Sequence, residues 1–440
     1  MFQIRKALVG VLAVLFMLPA AAQSGEWLLR DANVVTMTGA PPIASQDILI
    51  RDSRIVAIED TGRLTTKGRV VEVNGAWVIP GLHDMHVHLG TEQMLAMYVA
   101  NGVTSIRVMN GNQSLLELVS GVADGGIFGP NIFLASPLLE GQPPLWPQSE
   151  PVTTPEQARQ LVERYASEGY RAIKIYDGLT APVLAATAEE AKRHSLPVVG
   201  HMPDAIELEQ LLVHDPASLE HVGGYLPGWF SGGRQACDIP EWQLTRLAGR
   251  LAEAGVTVVP TLSLFHQSSN ADSRELTRAQ PEFNALPPGI TGQFWLGATP
   301  EPGSERARAA NCKSRNAERF TRALIAAGGS ILPGTDSPNP WLVPGRALHL
   351  ELERLVAAGM PPEQALAAAT VDAAAWFGDK DRRGTIETGQ PADLVVLEAN
   401  PLEDIRHVGA VTGVVIRGQW QSQASLRQRW QPAAGSEAGL

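Results

Sequence analysis

From Pro80 to Trp376 the chain alternates short apolar runs with longer amphipathic ones, and this alternation restricts the fold more than any other feature. Runs expected as strands fall at 84–88, 103–108, 131–135, 172–176, 198–201, 219–221, 256–261 and 330–334. The spacing predicts helices over 91–101, 154–168, 181–194, 204–213, 241–254, 304–327 and 345–358. Pro155 stands near one helix start, and Gly169, Gly255 and Gly328 follow helix ends. Proline's fixed φ suits a first turn, and glycine tolerates the left-handed residue that closes a last one. Short strands separated by helices pair in parallel, because a parallel neighbour needs a crossover connection long enough to hold the helix. Eight of them predict an α/β fold, a (β/α)8 TIM-like barrel, with an open α/β sheet as the alternative.

The rhythm differs on either side. Residues 26–79 read as short β-prone pieces broken by Gly39, Pro41, Asp52 and Gly62, with no helix-length segment. After a helix expected over 362–376, strand patterns return at 384–386, 392–397 and 411–416. The two flanks are expected to pack as one discontinuous small β-sandwich domain. The implied divisions are 1–22, 23–79 for the first part of that domain, 80–380 for the barrel and 381–440 for the second part and tail. Two connections, 137–151 and 263–303, are long, rich in proline turns and weakly periodic. Such segments often form lids or binding walls, and in a barrel they emerge at the catalytic face.

Arg5 and Lys6 precede an uncharged run, 7–22, that ends Pro19-Ala20-Ala21-Ala22. A short positive region, an apolar stretch and a small-residue end describe a secretory signal peptide, so a periplasmic or secreted protein cut after Ala22 is expected. An uncleaved anchor is the alternative. No second stretch is long and apolar enough to span a bilayer, so stable membrane insertion is not expected. The 35 basic and 46 acidic residues give a net charge of −11, which loss of Arg5 and Lys6 takes to −13. With no basic tract, nucleic acid is not expected as a partner. A small uncharged or zwitterionic substrate fits better, and the sequence is compatible with a homo-oligomer. Cys237 and Cys312 are too few for a disulfide scaffold, but an oxidising compartment permits one bond.

The strongest local pattern is Gly81-Leu82-His83-Asp84-Met85-His86-Val87-His88. Residues two apart on a strand share a face, so His86 and His88 can offer two imidazoles to one metal. Asp84 has the same parity, and two ordinary histidines are the alternative. Lys174 lies within Ile173-Lys174-Ile175, a poor place for an unpaired charge. Carboxylation would make it an anionic bridge between two divalent ions; a salt-bridged structural lysine is the plainer reading. His201, His221 and Asp336 follow apolar runs at further expected strand ends. Their shared position argues for one metal site more than any of them does singly. Imidazole favours borderline metals, with zinc the leading candidate.

These residues resemble the amidohydrolase superfamily, especially imidazolonepropionase-related enzymes and metal-dependent Xaa-Pro dipeptidases. The resemblance rests on Pro80-Gly81-Leu82-His83-Asp84-Met85-His86-Val87-His88, Glu220-His221-Val222-Gly223-Gly224, Pro333-Gly334-Thr335-Asp336 and Gly389-Gln390-Pro391-Ala392-Asp393-Leu394-Val395-Val396-Leu397. It implies that His86 and His88 bind a buried ion, that His201 and His221 bind a more exposed one, and that carboxylated Lys174 bridges them. Asp336 would contact the buried ion and the water nucleophile. The lysine points to the two-metal, dipeptidase-like branch.

The implied reaction is hydrolysis of a C–N amide bond in a small substrate, such as a dipeptide or N-acyl amino acid, by metal-activated hydroxide. Asp336 would carry the proton to the departing nitrogen. A cyclic-amide, lactone or ester hydrolase is the rival enzyme, and a periplasmic small-molecule binding protein is the rival without turnover. Candidate substrate contacts are Arg107, Tyr176, Tyr225, Trp229 and Phe230, with Tyr225 also a donor to the substrate carbonyl and Arg107 a carboxylate holder or a structural ion pair. His349, inside a helix, is expected to make a structural hydrogen bond.

Overall fold

The computed structural model describes residues 25–222, 224, 226, 237, 239–378 and 383–431. The expected signal segment, 1–22, lies outside them. Seven strands run parallel in sequence order: Leu82–Val87, Val103–Val108, Asn131–Glu140, Ala172–Ile175, Val198–Gly200, Ser218–Glu220 and Thr257–Val259. A short piece, Glu150–Pro151, adds to the side of the third. Together they form a nearly closed barrel.

The run expected as an eighth strand, 330–334, is not a regular strand. The run and the residues just after it make isolated parallel bridges at both ends of the row, Ile331 with Val258 and Ser337 with Val87. Backbone bonds also tie Leu332 N to Val258 O (3.1 Å), Met85 N to Pro333 O (2.9 Å) and Asp336 N to His86 O (2.7 Å). Pro333 has no N–H to give a ladder, which explains the irregularity. Gly334 explains the close approach: a Cβ there would sit 2.8 Å from His86 N and 2.5 Å from Val259 Cγ1.

The flanking strands are hydrogen-bonded into one continuous sheet. Its path is Gln419–Ser422, Val411–Ile416, Leu394–Leu397, Trp77–Pro80, Trp27–Val34, Ile43–Arg51 and Arg54–Asp60. Trp27–Val34 pairs in parallel with Arg69–Glu72 over its first half and with Trp77–Pro80 over its second. The change of partner falls at a register shift beside Asp31, whose φ is 63°. This sheet buries its own apolar cluster, including Leu29, Ile48, Val78, Leu394 and Val415.

Local chemistry explains the helix ends. Thr154 accepts from Gln157 N while the Gln157 side chain accepts from Thr154 N, a reciprocal cap for Pro155–Glu168. The helix expected over 362–376 is two helices, Pro362–Ala368 and Val371–Trp376. Thr370 interrupts it by turning its hydroxyl back to Leu366 O (2.7 Å) and adopting non-helical angles. The 263–303 segment is more ordered than its composition suggests. It overlaps Leu262–Ser269 and holds Ala271–Arg278, Pro281–Ala285 and the π-helical Gly289–Leu296. A further helix, Gln113–Ala123, was not expected; Asn112 caps it by accepting from Leu115 N. Cys237 and Cys312 are disulfide-bonded across 75 residues. Among the described residues no helix is long and apolar enough to cross a membrane.

Candidate active site

At the C-terminal ends of the barrel strands, side chains from distant parts of the chain meet. His86 is on Leu82–Val87, and His88 follows that strand, with its N–H donated to Ser337 O (2.7 Å). Strict alternation is broken by a register irregularity between Asp84 and Val87. His86 and His88 both reach Asp336 nonetheless: Asp336 Oδ1 lies 3.3 Å from His86 Nε2 and 2.9 Å from His88 Nε2. His221 Nε2 is 3.9 Å from Asp336 Oδ2. Ligand atoms of His86, His221 and Asp336 all lie within 4.8 Å of one another. His201 adjoins them, its ring centroid 4.9 Å from that of His221.

The backbone is bent to make this meeting. His221, Thr261 and Asp336 have φ values of 58°, 49° and 65°. Left-handed backbone at residues other than glycine costs on the order of 1 kcal/mol each and persists where the surroundings over-determine it. Gly200, at φ 133°, precedes His201 where a Cβ would stand 2.2 Å from Ile175 O. Only glycine lets the chain turn His201 toward the cluster there.

Burial works against charge on His88, His201 and His221, while Asp336 is held as a carboxylate. Burial lowers His88, lowers His201 strongly and takes His221 down to about 3. Burial pushes Asp336 up, but His221, His86 and His88 outweigh it and hold the group well below the ordinary carboxylate range. Lys174 is buried among these groups; burial lowers it to about 8, against the opposing pull of Glu220 and Asp336. Asp336 Oδ1 is buried and accepts no well-aligned hydrogen bond despite its two imidazole neighbours. A buried anionic oxygen without an aligned donor, set among imidazole nitrogens, is the donor set a divalent cation completes.

Around this cluster lies a buried polar frame. Glu220 accepts from His86 Nδ1 (2.8 Å), from Arg107 Nη2 at both oxygens (2.7 and 2.9 Å) and from Ser218 Oγ (2.5 Å). Burial raises its pKa, but Arg107 and His86 more than reverse that and keep the carboxylate ionised. Thr261 Oγ1 is 2.8 Å from His221 Nδ1. Asp84 accepts from Thr335 N and Oγ1 and from His86 N, tying the two segments that carry His86 and Asp336. Arg107 belongs to this frame and not to substrate binding. It is 0% exposed, donates to Met85 O and Ser218 Oγ besides Glu220, and stacks 4.4 Å from Trp376. A guanidinium so enclosed has no face left for a substrate carboxylate.

The cluster forms the floor of a cavity of about 450 Å³. Tyr176 lines it, with its ring 4.0 Å from His201 and its hydroxyl accepting from Trp146 Nε1 (3.0 Å). Tyr225, Trp229 and Phe230 lie outside the described residues. Sequence reasoning missed Trp146, Phe265 and Phe294 as walls, because nothing local distinguishes a wall aromatic from a core one. It also passed over Glu220 as chemistry; its carboxylate ends the short, fully buried Ser218–Glu220 strand. His349 makes its expected structural bond, Nε2 to Asn101 O at 2.8 Å. A larger cleft, about 660 Å³, is lined by Arg54, Asn131, Arg171 and Asp393 and contains none of the histidines. Reacting groups, not size, identify the site.

Comparison with known proteins agrees. The amidohydrolase family profile matches residues 77–421. Imidazolonepropionase from Deinococcus deserti is 36% identical over 163 residues, which is 37% of this chain and 35% of that relative. The chain thus matches about a third of that relative's length. Among solved structures, a bottromycin amidohydrolase superposes with a TM-score of 0.74 at 24% identity, covering 92% of this chain and 89% of the other. A Xaa-Pro dipeptidase with methionine in its active site gives 0.70 at 19% identity, covering 90% of this chain and 100% of the other. At these identities the two structures establish likeness of fold.

Proposed function

The chain belongs to the amidohydrolase family, and on that premise we propose that it hydrolyses C–N amide bonds of small substrates, dipeptides or N-acyl amino acids, with the help of two divalent metal ions. The observation that carries the metal-dependent part of this reading is the clustering of His86, His221 and Asp336, with Asp336 Oδ1 lacking an aligned donor. His86, His88 and Asp336 would hold one ion, and His201 and His221 the other. A carboxylated Lys174 would serve both. Burial lowers its pKa to about 8, which raises the fraction of neutral amine, the form that adds carbon dioxide and gives up a proton to become the carbamate. Zinc suits a set dominated by imidazole.

Bound divalent ions supply Lewis acidity, which acidifies water and stabilises negative charge on a carbonyl oxygen. The protein supplies the rest. Asp336 is ionised at neutral pH and can accept the proton of the attacking water, then return it to the departing nitrogen. Glu220 keeps the His86 proton on Nδ1, so Nε2 turns a lone pair toward the centre. Thr261 and Asp84 fix His221 and the Asp336 segment in the same manner. The cavity walls would orient the substrate above this cluster.

The Cys237–Cys312 bond supports export to an oxidising compartment. A mature chain starting near Gln23 is the expected outcome of cell fractionation with mass spectrometry. The activity is tested by a quantified panel of Xaa-Pro dipeptides, N-acyl amino acids, cyclic amides and esters. Cleavage of linear amides is expected. Turnover confined to deaminase substrates would overturn the assignment.

A further inference from the structure

Trp146 and Phe294 are large, apolar and left 44% and 47% exposed, although both line the cavity above the metal-type cluster. Exposure of single apolar residues is ordinary, but these two are held in place. The segment carrying Trp146 is pinned by Glu140, whose buried carboxylate accepts from Leu145 N (2.9 Å) and Trp146 N (3.4 Å). The indole N–H is bonded to Tyr176 Oη, and the Tyr176 ring lies against His201. An aromatic wall therefore runs from the rim down to a candidate ligand. Phe294 is held by its neighbour. Trp295 is fully buried, donates to Pro338 O (2.8 Å) and packs against Phe283 and Trp341.

Topology starts the two wall-bearing excursions on opposite sides of the barrel, and both reach the same cavity. Trp146 follows the strand Asn131–Glu140, and Phe294 is in the excursion after Thr257–Val259. Between those strands, one way round, stand Ala172–Ile175, Val198–Gly200 and Ser218–Glu220. The other way round stand Val103–Val108, Leu82–Val87 and the 330–337 segment. Each route passes three neighbours, so the two excursions start from opposite points of the rim.

We infer that Trp146 and Phe294 are the two jaws of an aromatic clamp that grips a flat, apolar ring on the substrate, making this enzyme selective for aryl-bearing amides over short aliphatic ones. The inference rests on the amide-hydrolase reading above and names its substrate class. An aromatic face binds a planar ring by offset stacking with little loss of side-chain freedom. The cavity is also much larger than an acetyl group needs and falls within the range that encloses a drug-sized ligand.

The test compares N-(2-naphthoyl)-alanine with N-acetyl-alanine on the metal-loaded full chain, read as the ratio of their kcat/KM values. The ratio should exceed about tenfold, and Trp146→Ala and Phe294→Ala should each lower it by roughly 3–10-fold. Trp146→Phe, which keeps a ring face, should retain most of it. Circular dichroism of each variant checks folding, and calorimetry with 2-naphthoate reads binding without turnover. Cleavage of both amides with no naphthoyl preference, or a preference that survives both alanine variants, would overturn the clamp while leaving the hydrolase reading intact. Absence of any amide cleavage would sink that reading; naphthoate binding weakened by both alanine variants would still support the clamp, and unaltered binding would overturn it.

Discussion

Glu220→Gln is the most informative single change in the frame. The carboxylate receives donors from Arg107, Ser218 and His86 and is fully buried, as is Arg107. Glutamine keeps the shape but offers one acceptor oxygen and one amide that must donate. With three donors around it, at least one now faces a donor. Arg107 becomes a buried charge without a counterion, a loss of about 3–5 kcal/mol in global stability. His86 can accept from the new amide only by moving its proton to Nε2, the atom 3.3 Å from Asp336 Oδ1. That proton would occupy the position a metal needs. Metal affinity should therefore fall by roughly 10–100-fold. Denaturant unfolding of the metal-free protein reads the first effect, and competition with a chelating dye reads the second. Combining Glu220→Gln with Arg107→Met removes the orphaned cation. The double variant should regain most of the lost stability but not the metal affinity. If Glu220→Gln costs less than about 1 kcal/mol and leaves metal affinity unaltered, the frame does not position His86 and the reasoning fails.

Three further outcomes are expected. Asp336→Asn should keep the fold and lower amide turnover by roughly 10²–10⁴-fold at matched metal content; near-normal turnover would remove Asp336 from proton transfer. Lys174→Ala should abolish a carbamate signal seen after labelling with ¹³C-bicarbonate and reduce metal affinity by roughly 10–100-fold, whereas a wild-type protein with no carbamate when metal-loaded would reject the bridging role. Burial and the nearby Arg346 hold His349 at about 3, below its ordinary 6.5, so the folded state binds its proton less well than the unfolded one. Its contribution to stability is complete above pH 6.5 and declines toward pH 3, by up to about 1.4 kcal/mol per pH unit. The His349→Gln variant should show a shallower stability–pH curve there, and parallel curves would show that His349 is not the group responsible.

The parallel barrel was legible because its strands are buried on both faces and separated by helix-length amphipathic segments. The Val103–Val108 strand reads from sequence with the bounds it has in three dimensions. The 330–337 segment was harder: its apolar run predicts a strand, but Pro333 and the tight approach at Gly334 leave only isolated bridges. Helices in the 263–303 region were hidden because Ala271–Arg278 is polar on most positions and leans on its Asn270 cap. At the site, His86, His201, His221 and Asp336 were visible as polar groups ending apolar runs. Arg107 shows the limit of that logic. A charge near a strand end can face a substrate or a buried partner, and only the position of Glu220, distant in sequence, decides between them. Trp146 and Phe294 carry no local sign of their place, since the topology alone brings them to one cavity.

The central claim is that this site works only with metal. Exhaustive chelation, elemental analysis and stepwise return of zinc should be followed on one preparation with an N-acyl amino acid as substrate. Metal-free protein should be folded and inactive, and turnover should rise with added metal and level off near two ions per chain. Undiminished amide cleavage by protein shown to contain no metal would contradict the account.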